Sequence, residues 1–189
     1  MDRSLPQRLQ AWGFSWGGLL DNRHGEWWVM AQMALITAHL LPAYPSPASL
    51  GLSWPPLLRV LGLGLFAAGL LLAGQGALNL GDSLSPLPEP MPGAPLVMAG
   101  AYGRCRHPLY QSLLVCSLGV TLARGSLLHL ALLLALALAL VLGSKARREE
   151  VRLCAVHADY PAYRTATPAI VPHLPRLDWR SGPSDPEAV

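Results

Sequence analysis

The chain has 189 residues, of which 52% are hydrophobic and only 13% charged, with a formal net charge of +3 and a mean hydropathy of +0.34. A soluble domain carries about 25% charged residues, so the deficit excludes an ordinary water-solvated surface and points to lipid as the solvent for much of the chain. Its basic residues flank apolar runs instead of forming a stripe interleaved with aromatics, which argues against a nucleic-acid partner.

In chain order, the first 26 residues mix Asp2, Arg3, Arg8, Asp21, Arg23 and Glu26, so no cleaved basic-then-apolar leader is expected. Four apolar runs follow, near 27–44, 57–80, 109–123 and 127–143. A membrane-crossing helix needs about 20 apolar residues, and the first, second and fourth runs qualify directly. The third is short, and its Gln111, Ser112, Ser117 and Thr121 predict a helix that faces protein instead of lipid. The predicted fold is therefore all-α: one integral membrane domain over 1–177 with about four transmembrane helices and a helical C-terminal segment in the cytoplasm. Four spans place both termini and the 81–107 loop on one side, together with all of the 14 basic residues except Arg59 and Arg124. The positive-inside rule makes that side the cytoplasm.

Within the second span, Gly64 with Ala68 and Gly69 with Ala73 repeat small residues four apart, a spacing that lets helices approach closely in lipid. The loop from 81 to 100 carries Pro86, Pro88, Pro90, Pro92 and Pro95 and is predicted to run extended, as a strap across the cytoplasmic face. His129 is expected at the outer interface, and the Leu- and Ala-rich fourth span carries no chemistry. From 144 to 157 the pattern becomes that of a charged helix emerging into water. A short segment follows near Asp159, and the tail 178–189 has the composition of disordered chain. Cys105, Cys116 and Cys154 form no CxxC pair, so neither a disulfide framework nor a metal site is expected, and free thiols in a reducing compartment are the simpler reading.

Chemistry concentrates just before the third run, in Gly100-Ala101-Tyr102-Gly103-Arg104-Cys105-Arg106-His107-Pro108-Leu109-Tyr110. Pro108 suits a first helical position and puts His107 at the cap. The helix amides and Arg106 then favour a carboxylate or phosphate, with Tyr110 as an aromatic wall. After the fourth run, Lys145, Glu149 and Arg152 are spaced to share one helix face on the same side of the membrane. Taken singly, the first cluster also fits interfacial lipid anchors and the second a solvated helix with internal ion pairs. Together they frame a pocket for a ligand with both a carboxylate and an ammonium group.

These residues resemble a known family. Pro95-Leu96-Val97-Met98-Ala99-Gly100-Ala101-Tyr102, then Arg106-His107-Pro108-Leu109-Tyr110, then Lys145 with Glu149-Glu150, then Tyr160-Pro161-Ala162-Tyr163 look like the isoprenylcysteine carboxyl methyltransferases, grouped with membrane phospholipid methyltransferases. The resemblance covers roughly 81–175, about half the chain. It implies a membrane methyltransferase that uses S-adenosyl-L-methionine at the cytosolic surface and acts on a lipid, lipid-like or isoprenylated acceptor. Carried over by position, Leu96, Val97, Tyr102, His107, Pro108, Leu109, Tyr110 and Glu149 would line the cofactor pocket. Lys145 stands where the family places a basic residue near the substrate, and Glu150 is the second motif carboxylate. On the chemistry of the residues themselves, Lys145, Arg152 and Arg106 are candidates to clamp a carboxylate acceptor, and Glu149 or Glu150 could serve as catalytic base for an amine or thiol. Two departures stand out: Val156-His157-Ala158 replaces the usual Phe-Gly, and Thr167-Pro168 is flanked by Ala166 and Ala169 where the family tends to carry arginines. The methyl acceptor, whether carboxylate, amine or thiol, is left open. The alternatives are an NADPH-dependent membrane reductase of the sterol type, in which an Asn would stand at Leu109, and a non-catalytic membrane subunit.

Overall fold

The computed structural model describes residues 16–22, 24–85, 87, 93–136, 145–174 and 178–180. Among them the regular structure is helical, with no strand. The helices are α1 (Trp16–Asp21), α2 (Glu26–Ala38), α3 (Pro56–Leu80), α4 (Pro108–Arg124), α5 (Leu127–Leu136), α6 (Lys145–Val156) and α7 (Tyr160–Ala166).

α3 matches the second expected span. Its 25 residues extend about 37 Å at 1.5 Å per residue, more than the ~30 Å of a hydrocarbon core. With the turn that follows, Pro56–Ser83 is the helix among the described residues that is long and apolar enough to cross a membrane, and only 11% of it is buried. That exposure distinguishes it from the core helix of a soluble domain, since Leu71 and Leu78 stand 76% and 82% exposed.

The other expected spans fare differently. The first, near 27–44, is helical only over the 13 residues of α2, about 20 Å. Beyond Ala38 the chain tightens into turns, with the amides of His39, Leu40 and Leu41 each donating three residues back, because Pro42 disfavours helix in the residue before it. The third is α4, 17 residues starting at Pro108. The fourth is helical from Leu127 to Leu136, and the remainder, 137–144, lies outside the described residues.

α3 and α4 pack antiparallel along a seam of small residues. Gly62, Gly69 and Gly76, seven apart, are buried. A Cβ at Gly62 would lie 2.4 Å from the Ala123 amide nitrogen, and one at Gly69 would lie 2.9 Å from that of Cys116. From the other side, a Cβ at Gly119 would meet the Phe66 nitrogen at 2.6 Å. The seam differs from the expected four-residue pairs: Gly64 has nothing within 4 Å, and Ala68 is exposed. Apolar side chains alone would not choose between these registers; the close approach of α4 backbone to Gly62 and Gly69, and of the Leu109 side chain to Gly76 at 3.0 Å, does, because a Cβ at any of the three would crowd its neighbour.

The polar residues of α4 face protein, as predicted. Ser117 is buried and hydrogen-bonded to His39 Nε2 of α2, while Thr121 donates to the His129 carbonyl at 3.1 Å. His129 is fully buried, packed against His39 of α2's C-terminal turn. Its Nε2 donates to the His39 carbonyl at 3.3 Å, and its ring meets that of His39 edge-on.

Candidate functional site

The site is built where α4, α6 and the strap meet. Gly100 has φ +65°, and a Cβ there would lie 2.5 Å from Asn79 Oδ1, so the chain needs glycine to turn beside the end of α3. Asn79 Oδ1 accepts from the Ala101 amide at 2.8 Å, and Arg104 donates to Gln75 Oε1 at 2.6 Å. These bonds fix the turn Gly100–Gly103 to α3 and bury Tyr102. Pro108 opens α4 with His107 at its N-cap, as the sequence predicts.

The segment after α7 holds the other edge. The Arg106 and His107 amides donate to the carbonyls of Pro168 and Ala169 at 2.9 and 3.0 Å, and Gln111 Nε2 donates to the Ile170 carbonyl at 2.9 Å. Ala169 and Ile170 are fully buried against Tyr110, Leu113 and Trp179. Thus the segment around Pro168 acts here through the backbone carbonyls of Pro168, Ala169 and Ile170.

Glu150 is the electrostatic anchor. Its Oε1 accepts from His107 Nε2 at 2.9 Å and lies 3.3 Å from Arg106 Nη1, while its Oε2 accepts from the Trp179 indole at 2.8 Å. Arg106 Nη2 in turn donates to the Trp179 carbonyl at 2.8 Å. Burial pushes the Glu150 carboxyl up, but the His107 hydrogen bond and charge, then Arg106 and Trp179, outweigh it and leave its pKa below the ordinary 4.5. Glu149 points elsewhere: its Oε2 accepts from Tyr110 Oη at 2.9 Å and lies 3.9 Å from His107 Nδ1.

Two adjoining cavities share Leu80, Ser85, Tyr102, Arg106 and Glu149 as a common wall. The larger, about 350 Å³, continues past His107, Leu109 and Tyr110 to Ala73, Leu113 and Gln32, a size in the ordinary range for a small-molecule site. The smaller, about 90 Å³, is bounded by the strap residues Leu96 and Val97 and by Leu153, His157, Tyr160 and Tyr163. Two buried donors bordering the smaller cavity, Arg106 Nε and Tyr160 Oη, have no hydrogen-bond partner among the described residues. Burial first, and then the neighbouring carboxylates, hold the phenols of Tyr102 and Tyr160 well above the usual range, so they remain donors.

Of the residues singled out from the sequence, Leu96, Val97, Tyr102, Arg106, His107, Leu109, Tyr110 and Glu149 border these cavities. Pro108 is buried but fronts a separate cavity with Cys105 and Gln111. Glu150 borders neither of the two and sits behind His107. Arg152 is exposed and also borders neither, because the cavity-facing stripe of α6 is Glu149 and Leu153, continued by His157 just past the helix end. Lys145 opens α6, and its side chain lies outside the described residues. Trp179 was not anticipated: it falls at the start of the expected disordered tail, yet Asp178–Arg180 is placed against the site, with residues 181–189 outside the described residues. A lone tryptophan in a polar tail was the available signal. Tyr163, whose hydroxyl donates to the Tyr102 carbonyl, was visible only as a motif position.

Compared with known proteins, the chain is 38% identical over 82 residues to the cobalt-zinc-cadmium resistance protein CzcN of Cupriavidus metallidurans, a match covering 42% of this chain and 36% of that protein. The chain thus spans about a third of the length of that relative. No family model matches, and no solved structure matches.

Proposed function

We propose that the protein is a membrane-embedded S-adenosylmethionine-dependent methyltransferase that acts on a lipid-borne or isoprenylated acceptor at the cytoplasmic face, in a four-span arrangement with both termini in the cytoplasm. The observation that carries this reading is the shared wall of the two cavities. There Arg106, with a buried and unpartnered Nε, and the carboxylate Glu149 face one ligand-sized space. An amino-acid end group matches that pair: its carboxylate fits Arg106 Nε and the Tyr160 hydroxyl, and its ammonium fits Glu149. The motif resemblance assigns the same region to the same cofactor. The exposed apolar surface of α3 supports membrane embedding, and the twelve basic residues expected on one side support the four-span count.

The cofactor fits the residues present and, when bound, would supply an activated methyl on its sulfonium. Arg106, Tyr160 and Glu149 would hold its amino-acid end. Tyr102 and Tyr110, both positioned by hydrogen bonds of their own or their backbone, would wall the methyl and exclude water. The larger cavity runs on past Leu109 to Leu113 and Ala73, apolar residues suited to the tail of an acceptor that arrives from lipid.

Titration of the purified protein in detergent tests the reading against its rivals. Binding of S-adenosylhomocysteine, weakened by Glu149→Gln, is the expected result. Binding of NADPH instead would favour a reductase, and binding of neither would leave a non-catalytic subunit. A role in resistance to cobalt, zinc or cadmium, which its name states for the similar Cupriavidus protein, is a physiological setting that growth of a deletion strain on those ions would test.

A further inference from the structure

The His107 ring is held more firmly than a ligand-lining residue requires. It stacks on Tyr110 with centroids 5.3 Å apart, and Trp179 covers it at 6.2 Å. Its Nε2 donates to Glu150 Oε1 at 2.9 Å. Glu150 is itself fixed by the Trp179 indole and the Arg106 guanidinium, and it is buried. This arrangement commits the Nε2 proton to Glu150, so in neutral imidazole the lone pair is on Nδ1. Nδ1 lies on the side of Glu149, which borders both cavities, and the nearest charged oxygen there is a carboxylate that has nothing to donate, 3.9 Å away. A carboxylate, an imidazole and an open acceptor nitrogen in that order form the orienter-and-base pair of general base catalysis.

We infer that His107 Nδ1 is the proton acceptor for methyl transfer, that Glu150 is its positioning residue, and that the acceptor therefore carries a removable proton, as a thiol or an amine does. The inference rests on the methyltransferase reading above. In the step, the acceptor heteroatom forms a bond to the methyl carbon as the methyl–sulfur bond breaks and its electron pair returns to sulfur. The heteroatom's proton passes to Nδ1, and the imidazolium formed is stabilised by Glu150 and later releases that proton to water. The groups facing the ring are Glu149, Glu150 and Arg106, with the Tyr110 hydroxyl on Glu149.

Two measurements test this. Nitrogen-15 histidine NMR of the detergent-solubilised protein, with His107 assigned through a His107→Asn variant, is expected to show a protonated Nε2 and an unprotonated Nδ1 at pH 8. Both nitrogens protonated up to pH 9, or the opposite tautomer, would overturn the proposal without touching the cofactor reading. Matched long-chain acceptors ending in thiol, amine or carboxylate provide the second. Glu150→Gln should lower kcat on the thiol or amine by about 100-fold, leave KM within about threefold and move the acid limb of the pH–rate profile to lower pH. Trp179→Phe, which keeps the ring and removes the indole donor that fixes Glu150, should lower kcat in the same way by less. An unmoved limb in Glu150→Gln, or transfer to the carboxylate acceptor alone, would overturn it. Absence of S-adenosylhomocysteine binding would remove the methyltransferase reading, and the base with it.

Discussion

Replacing Gly69 by alanine should separate α3 from α4. In an exposed helix the change would stabilise by about 1 kcal/mol, since alanine is the better helix former. Here the new Cβ would lie 2.4 Å from Cys116 Sγ, 2.9 Å from the Cys116 nitrogen and 3.0 Å from the Ser112 carbonyl oxygen. The thiol can rotate away, but the two backbone atoms cannot, so the helices must move apart by several tenths of an ångström over the whole seam. Overpacking of this kind costs about 1–3 kcal/mol, which outweighs the propensity gain. Gly74→Ala is the control, because nothing lies within 4 Å of that position, and it should be neutral or slightly stabilising. Thermal unfolding in a mild detergent, followed by tryptophan fluorescence, should therefore rank Gly69→Ala below wild type and Gly74→Ala at or above it. Equal midpoints for the two variants would refute the seam.

Asn79→Leu removes the acceptor for the Ala101 amide and should cost about 1–3 kcal/mol, read as a lower unfolding midpoint in the same assay. Glu149→Gln should weaken S-adenosylhomocysteine binding by roughly one to two decades, the loss of one charge-assisted bond, while Arg152→Ala leaves the titration unchanged. Because the Glu150 pKa is lowered from 4.5, its contribution to stability is full above that value and is lost as pH falls through the lowered one. Wild-type stability should thus drop below about pH 4.5 with a component that Glu150→Gln lacks, and an identical acid profile for the two would contradict the anchor role. Cysteines introduced at Ser46 and Ser85 should label from opposite sides of the membrane, and labelling from one side would overturn the four-span topology.

Much of this arrangement was legible in the sequence, for physical reasons that differ from element to element. α3 was readable because hydropathy over 25 residues is a property of composition. α2 was overextended for the same reason: apolar content continues to Tyr44, but Pro42 ends the backbone pattern that hydropathy does not see. His107 and Glu149 were found because each follows a local rule, a proline at the first helical position and a carboxylate on a charged helix. On α6 the cavity side runs through Glu149 and Leu153 towards His157, a four-residue stripe that drifts away from Arg152, three residues after Glu149, and spacing alone did not choose between the two directions. Trp179 and the partition between Glu149 and Glu150 depend on contacts across 29 or more residues of chain, and no spacing rule encodes those. The glycine seam was visible as an excess of glycines, but its seven-residue register is decided by α4.

The central claim is most directly tested by incubating the purified protein with membrane lipid extracts and methyl-labelled S-adenosylmethionine, followed by mass spectrometry of the lipid fraction. A labelled methyl on a lipid-borne acceptor, formed by wild type and strongly reduced in Glu149→Gln, is the expected result. No label in any lipid, from protein shown to be folded, would contradict it.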